Sequence, residues 1–119
     1  MQPIARVDDI PATGLRFSYH EGPFEEIGIL LATADGGVRA FKNQCRHLAM
    51  PLDHADPGEL WDRDRRHLVC SSHGARYRPD DGLCVAGPCE GSHLKPLPIE
   101  VRDGEVFLDT SAVGSFFNV

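Results

Sequence analysis

Glycine and proline are unusually frequent in this chain and limit the kinds of element that it can form. The 119 residues include 12 glycines and 9 prolines, about 18% of the chain against a usual share of about 12%. They are spread along the whole sequence rather than gathered in one segment. Because both residues interrupt helices, this distribution leaves little room for long helices and favours short strands joined by turns.

Apolar and β-branched runs lie between the turn residues, as is typical of an all-β chain. The runs are residues 14–19, 27–33, 38–41, 67–70, 99–102 and 105–108. Asp35-Gly36-Gly37 and Asp103-Gly104 predict two hairpins, because these residues tolerate the positive φ of tight turns. Asp80-Asp81-Gly82 predicts a third turn of the same kind. Neighbouring strands are therefore expected to be antiparallel.

The charge balance argues against nucleic acid and membrane surfaces as partners. Twelve Lys and Arg residues face 18 Asp and Glu residues, so the formal net charge is −6, which repels phosphate backbones and anionic lipid headgroups. The longest apolar stretch, 27–32, is far shorter than the roughly 20 residues that span a bilayer. The amino-terminal residues carry no export signal, so we expect a cytoplasmic protein.

The middle of the chain differs in character from its flanks. Residues from about 43 to 89 hold all four cysteines, four of the six histidines and few strand-like runs. The outer segments, roughly 1–42 and 94–109, hold most of the strand pattern and are expected to pair into a base that carries the middle as an insertion. With no repeat or linker, the sequence predicts a single domain over 1–119, in which 110–119 is a tail.

Two short motifs in the middle segment supply two thiols and two imidazoles. They are Cys45-Arg46-His47 and Cys70-Ser71-Ser72-His73-Gly74. One tight loop can aim both side chains of a motif at a common point, and in a reducing compartment such cysteines are more often ligands or reactive thiols than disulfides. The set fits a zinc ion, or a 2Fe-2S cluster with two cysteines on one iron and two histidines on the other.

The order of the residues favours the cluster, because each loop carries one cysteine and one histidine, whereas zinc fingers usually separate them. The spacing resembles that of the Rieske 2Fe-2S family, Cys-x-His followed by Cys-x-x-His-Gly. The flanking segments 38–45, 67–70 and 74–88 also resemble that family, so the resemblance covers roughly 5–109. The 22 residues between His47 and Cys70 form a longer spacer than in many relatives, and we expect an extended hairpin or loop around 56–66.

The resemblance implies a Rieske-like antiparallel β-sandwich with an inserted cluster-binding subdomain at about 43–89. It implies one Rieske-type 2Fe-2S cluster per chain. The implied ligands are Cys45, His47, Cys70 and His73, and no catalytic residue is implied.

The implied function is that of a small Rieske-type ferredoxin: an electron-transport protein without its own substrate site. Such a carrier passes single electrons between a reductase and a terminal oxygenase or other oxidoreductase. One alternative is a Rieske-type small subunit or regulatory module of a larger enzyme such as nitrite reductase. Another is a zinc-stabilised interaction module without a redox role.

The residues around the implied cluster predict a modest potential. High-potential relatives carry a serine two residues after the second histidine and a tyrosine four after it, and here these positions hold Ala75 and Tyr77. The cysteines that form a disulfide clamp in respiratory relatives are absent from both loops. We therefore expect a potential in the lower part of the roughly −150 to +300 mV Rieske range. Cys84 and Cys89 are redox-active, or form a disulfide near the cluster, or are simply small buried apolar groups, as free cysteines commonly are.

Overall fold

The computed structural model describes residues 1–46 and 50–113, and within these ranges nearly all regular structure is β. One short 3-10 turn spans Val7–Asp9. The strands are β1 (Gln2–Arg6), β2 (Leu15–Glu21), β3 (Phe24–Ala32), β4 (Val38–Lys42), β5 (Leu68–Val69), β6 (Arg76–Tyr77), β7 (Cys84–Ala86), β8 (Ile99–Arg102) and β9 (Glu105–Leu108). All their pairings are antiparallel, so the predicted fold class is confirmed.

Contacts along the chain divide it into two compact units. One comprises residues 1–42 with those from 96 onward, and the other is Asn43–Lys95. The sequence predicted an insertion over about 43–89, and the second unit continues to Lys95. It does so because Leu83 forms a β-bridge with His93 and the N–H of Leu94 donates to the carbonyl of Gly82 at 2.9 Å.

Two three-stranded sheets form the first unit, with strand orders β1-β9-β8 and β2-β3-β4. Both sheets contribute side chains to one buried core. Its fully or nearly buried members are Tyr19, Leu30, Ala40, Leu97, Val106 and Leu108. Burial of such side chains stabilises the unit by roughly 1.5–3 kcal/mol for each large apolar residue.

The turn residues do what the sequence predicts. In the β3–β4 hairpin, the N–H of Thr33 donates to the carbonyl of Gly37 at 2.9 Å, and Gly36 has φ +84°. In the β8–β9 hairpin, Asp103 and Gly104 have φ values of +51° and +77°. These left-handed conformations are the ones that Gly, Asp and Asn tolerate best, so both predicted hairpins are confirmed.

Strand β1 is a strand that the sequence analysis did not predict. It pairs only with β9, at the edge of its sheet, and the register shifts between Pro3 and Ala5. A proline and a bulge are typical of edge strands. Proline has no N–H to donate, and at the free edge of a sheet this loses no hydrogen bond to a neighbouring strand. The predicted tail, 110–119, lies outside the described residues from 114 onward.

The long spacer between the two motifs contains a hairpin, as predicted. Trp61 bridges Leu68, and the N–H of Asp62 donates to the carbonyl of His67 at 3.0 Å. The Asp62 carboxylate then accepts the N–H groups of Arg66 and His67 at 2.9 and 3.3 Å. Burial opposes ionisation of Asp62, but these two N–H groups hold its pKa below the usual value.

The second unit holds the β5-β6-β7 sheet, and the predicted turn at Asp80-Asp81-Gly82 joins β6 to β7. The N–H of Gly82 donates to the carbonyl of Arg78 at 2.8 Å, and Gly82 has φ +76°. Within residues 1–46 and 50–113, no helical segment has the length and apolarity needed to cross a membrane.

Gly28 on β3 is a position where only glycine fits. It lies opposite Phe17 of β2, and a Cβ placed on it would come within 2.3 Å of the Phe17 ring. We expect Gly28→Ala to displace that ring and to lower the free energy of unfolding by about 1–3 kcal/mol, as measured by urea denaturation. Ala32→Ser, at an exposed site on the same strand, should change it by less than about 0.5 kcal/mol; equal effects would contradict the steric explanation.

Candidate metal centre

The first motif lies on a loop that leaves the end of β4 at Lys42. Cys45 is on this loop, and its N–H donates to the carbonyl of Met50 at 2.8 Å. Residues 47–49, and with them the predicted ligand His47, lie outside the described part of the chain. Cys45 is therefore on a short loop that this backbone hydrogen bond closes.

A buried polar network fixes both ends of this first loop. Asn43 and Asp53 are 4% and 1% exposed, and the Asn43 side-chain amide donates to the Asp53 carboxylate at 2.9 Å. The Asn43 oxygen accepts the N–H of Leu52, and the second Asp53 oxygen accepts the N–H of Gly58, each at 2.9 Å. Buried polar groups are costly unless hydrogen bonded, so these bonds fix Asn43, Leu52 and Asp53 relative to one another.

The second motif forms the tight turn between β5 and β6. The N–H of Cys70 donates to the carbonyl of Ala75 at 2.9 Å, and the N–H of Gly74 donates back to the carbonyl of Cys70 at 3.0 Å. Gly74 has φ +72°, a conformation that an L side chain rarely adopts. The turn buries Cys70 at its base and leaves His73 exposed on it.

Ser71 joins the two loops. Its N–H and its hydroxyl both donate to the carbonyl of Leu52, each at 2.9 Å, and its hydroxyl oxygen accepts the N–H of Ala55 at 3.3 Å. The His54 ring and the Ser72 hydroxyl form a further hydrogen bond between the same two loops. These contacts hold the two motifs side by side.

The two predicted cysteine ligands meet at this junction. Cys45 and Cys70 are 4% and 1% exposed, and their thiols are close enough to interact electrostatically. Burial raises the pKa of the Cys70 thiol and the Cys45 thiol raises it further, whereas the N–H groups of Ser72 and His73 act in the opposite direction. N–H groups directed at a sulfur stabilise it as a thiolate ligand.

The side chain of Tyr77, on β6, contacts the first loop. It is fully buried, and its hydroxyl oxygen accepts the N–H of Arg46 at 3.0 Å. The same hydroxyl lies 3.5 Å from Cys45 Sγ and 3.0 Å from Cys89 Sγ. Burial, followed by these two sulfur contacts, raises the Tyr77 pKa, so the hydroxyl keeps its proton.

The donor set fits a Rieske-type cluster. Such a cluster takes two thiolates on one iron and two neutral imidazoles on the other. Cys45 and Cys70 offer adjacent buried sulfurs, and His73 follows on the exposed part of the turn. Among residues 1–46 and 50–113, no three His, Cys, Asp or Glu side chains are gathered around the position of a single metal ion.

Comparison with known families agrees with this chemistry. Residues 1–106 match the Rieske [2Fe-2S] domain. The chain belongs to this family. As a Rieske protein it carries a Rieske-type 2Fe-2S cluster, and the iron–sulfur prediction is confirmed.

The curated relatives of this Rieske chain are longer proteins. The glycine betaine monooxygenase oxygenase subunits of two Pseudomonas aeruginosa strains are 29% identical to it over 109 residues. The match covers 84% of this chain, which spans 23% of the length of those relatives.

Solved structures share the Rieske fold over most of the chain. The Sphingomonas yanoikuyae B1 ferredoxin is 21% identical, with a TM-score of 0.62 over 90% of this chain and 95% of that one. A chain from the complex of reduced oxygenase and oxidised ferredoxin in carbazole 1,9a-dioxygenase is 19% identical, with a TM-score of 0.64 over 89% and 98%. The terminal oxygenase of carbazole 1,9a-dioxygenase from Nocardioides aromaticivorans IC177 is 24% identical, with a TM-score of 0.64 over 90% and 29%.

Sequence reasoning missed the residues that support this Rieske site. Asn43 and Asp53 lie ten positions apart and match no ligand motif, and Ser71 is distinguished only by its place inside one. The identity of a polar residue does not predict that it is buried. Asn43 and Asp53 come together only in the folded chain.

Removing the Asn43 amide should weaken the first loop. We expect Asn43→Ala to lower the free energy of unfolding by about 1–3 kcal/mol, because it leaves a buried Asp53 oxygen and the Leu52 N–H without their partner. The loss of visible cluster absorbance in urea should occur at lower urea concentration. Asp56→Ala, at an exposed site nearby, is the control and should behave as the parent; a parent-like Asn43→Ala would contradict the role of the network.

Removing the Tyr77 hydroxyl should lower the cluster potential. A hydrogen bond to a ligand sulfur favours the reduced, more negative cluster, and a net contribution of about 1 kcal/mol corresponds to roughly 40 mV for one electron. We expect Tyr77→Phe to shift the midpoint potential down by that order, as measured by voltammetry. Phe17→Tyr, which adds a hydroxyl in the other compact unit, should leave it unchanged; an unshifted Tyr77→Phe would show that the hydroxyl does not bond to Cys45.

Proposed function

We propose that this Rieske protein is a one-electron carrier that passes electrons between a reductase and a terminal oxygenase or other oxidoreductase. The observation that carries the proposal is the position of His73, exposed on a turn whose base holds the buried Cys70. An imidazole that binds iron through one ring nitrogen leaves the other nitrogen at the surface. That edge gives a partner protein a short path for one electron and a site for its coupled proton.

We assign the ligand set to Cys45, His47, Cys70 and His73, with the two cysteines on one iron and the two histidines on the other. The adjacency and burial of the two thiols support the first half of this assignment. The family spacing supports the second half. The cluster, when bound, supplies a single-electron couple; the chain supplies the donors around it and the exposed histidine edge. No catalytic residue of this chain is needed for that role.

The remaining features of the proposal follow from the same site. Ala75 is fully buried and carries no hydroxyl, so one of the two sulfur donors of high-potential relatives is missing, and we expect a potential in the lower part of the Rieske range. The four cysteines are free, which suits a reducing compartment, so we place the carrier in the cytoplasm as a single Rieske domain.

A second candidate function is a Rieske module within a larger enzyme. The observation that favours it is the match to oxygenase subunits of which this chain spans only 23%. The two functions differ in their partners: a carrier binds a reductase and an oxygenase transiently, whereas a module stays in one complex. Gel filtration after gentle purification from the native cell distinguishes them, because only the module elutes with a large partner.

Electron paramagnetic resonance (EPR) and metal analysis test the ligand assignment. We expect two irons and no zinc per chain, and an EPR signal of low average g after dithionite reduction. Cys45→Ser and Cys70→Ser should each abolish the cluster absorbance. Cys84→Ser replaces a buried cysteine outside the ligand set and should retain it. A colourless protein that holds one zinc, and cannot be reconstituted with iron and sulfide, would overturn the electron-carrier function.

A further inference from the structure

A second pair of cysteines lies beside the proposed ligands and has no role in holding the cluster. Cys84 Sγ and Cys89 Sγ are 3.3 Å apart. Backbone bonds close the loop between them: the N–H of Cys84 donates to the carbonyl of Ser92 at 2.7 Å, and the N–H of Gly91 donates to the carbonyl of Cys84 at 2.9 Å. The sulfurs need to approach by only about 1.3 Å to reach the length of an S–S bond.

Each thiol and hydroxyl around this cysteine pair carries a single hydrogen. This fixes the direction of the hydrogen bonds among them. The carbonyl of Ala86 can only accept, so the Cys84 thiol donates its hydrogen there, at 3.2 Å. The Cys89 thiol must then be the donor in its contact with Cys84 Sγ. Cys89 has no second hydrogen, so its 3.0 Å contact with Tyr77 uses the tyrosine hydroxyl hydrogen.

Tyr77 therefore has one hydrogen and two sulfurs that compete for it. Cys89 Sγ is at 3.0 Å and Cys45 Sγ at 3.5 Å, and the other contact of the hydroxyl, with the N–H of Arg46, uses its oxygen as acceptor. With both thiols reduced, the nearer sulfur of Cys89 competes for this hydrogen and weakens the hydrogen bond to Cys45.

We propose that Cys84 and Cys89 form a thiol–disulfide couple, and that its state sets how strongly the Tyr77 hydroxyl donates to Cys45 in competition with Cys89. Closing the S–S bond removes both thiol hydrogens and draws Cys89 Sγ toward Cys84. The Tyr77 hydroxyl then donates to Cys45. The couple itself does not depend on the electron-carrier function; only its effect on the potential requires the cluster.

The oxidant that we infer is a low-molecular-weight disulfide such as oxidised glutathione. The Cys89 thiolate attacks one sulfur of that disulfide, forming a mixed disulfide and releasing one glutathione thiolate. The Cys84 sulfur then attacks Cys89 Sγ, forming the Cys84–Cys89 bond and releasing the second glutathione. Two protein thiols are oxidised, one external disulfide is reduced to two thiols, and the two protons pass to the released thiolates.

Accessibility sets the order of the two attacks. Cys89 is partly exposed and follows the exposed Gly87 and Pro88, so an external disulfide can reach it. Cys84 is 1% exposed, and burial followed by the Cys89 contact raises the pKa of its thiol to about 11. A buried thiol with a raised pKa is a poor partner for an external reagent but is well placed to resolve an adjacent mixed disulfide.

Peptide mass spectrometry tests the couple. Trypsin does not cut before Pro79 or Pro96, so residues 77–102 form one peptide that contains Cys84 and Cys89 and no other cysteine. The cluster-loaded chain is incubated anaerobically with excess oxidised glutathione, then denatured and alkylated. We expect this peptide to carry no alkyl group and to be two hydrogens lighter than the unalkylated dithiol peptide. Full alkylation of both cysteines, or a stable glutathione adduct on the parent chain, would overturn the couple.

Two matched variants test the order of attack. Cys84→Ser removes the resolving thiol, so glutathione should remain attached to Cys89. Cys89→Ser removes the attacking thiol, and the buried Cys84 should then take up none. Glutathione on Cys84 in the second variant would contradict the assigned roles.

Direct voltammetry on the intact chain tests the link to the cluster, and it needs no chemical reductant that would reopen the disulfide. We expect the midpoint potential to be higher in the disulfide form than in the dithiol form. The difference should vanish in Tyr77→Phe and in Cys89→Ser. Equal potentials in a sample whose disulfide is established by mass would overturn the switch of the Tyr77 hydrogen bond, whatever the function of the carrier.

Discussion

The two loops of the Rieske site meet at the carbonyl group of Leu52, which accepts two hydrogen bonds from Ser71. Each motif lies on its own loop, and nothing within either loop places Cys45 beside Cys70. The Leu52 carbonyl supplies that placement because Asn43 holds the N–H of the same residue. The polar network under the first loop and the turn of the second are thus parts of one support.

Both backbone and side-chain groups of the described residues act as hydrogen-bond donors around this support. Backbone N–H groups of the second loop face the Cys70 sulfur, and the Tyr77 hydroxyl lies 3.5 Å from the Cys45 sulfur. A backbone donor is fixed by the fold, but a hydroxyl can rotate between acceptors. The sulfur of Cys45, a proposed ligand, therefore has in Tyr77 a neighbouring donor that the chemistry of Cys89 can redirect.

The parts of this structure that were predictable are those encoded over a few residues. Asp35-Gly36-Gly37 and Asp103-Gly104 specify hairpins through their own backbone preferences, and the Cys-x-His and Cys-x-x-His spacings specify the cofactor. Strand β1 was missed because Pro3 weakens its pattern and β9, far along the chain, completes it. Long loops bring Asn43 to Asp53 and Cys89 to Tyr77. The conformational preferences of neighbouring residues do not predict such contacts. His47 was predicted from spacing and remains an assignment of that kind.

The loop that carries Gly87 approaches β6 so closely that a Cβ on Gly87 would lie 2.7 Å from Ala75 Cα and 3.2 Å from Ala75 Cβ. Ala75 itself is fully buried. Because the nearest atom is the Cα of Ala75, this close approach excludes a side chain at position 87 whatever residue stands at position 75. The loop that brings Cys89 to Tyr77 therefore keeps its place only as long as position 87 carries no side chain.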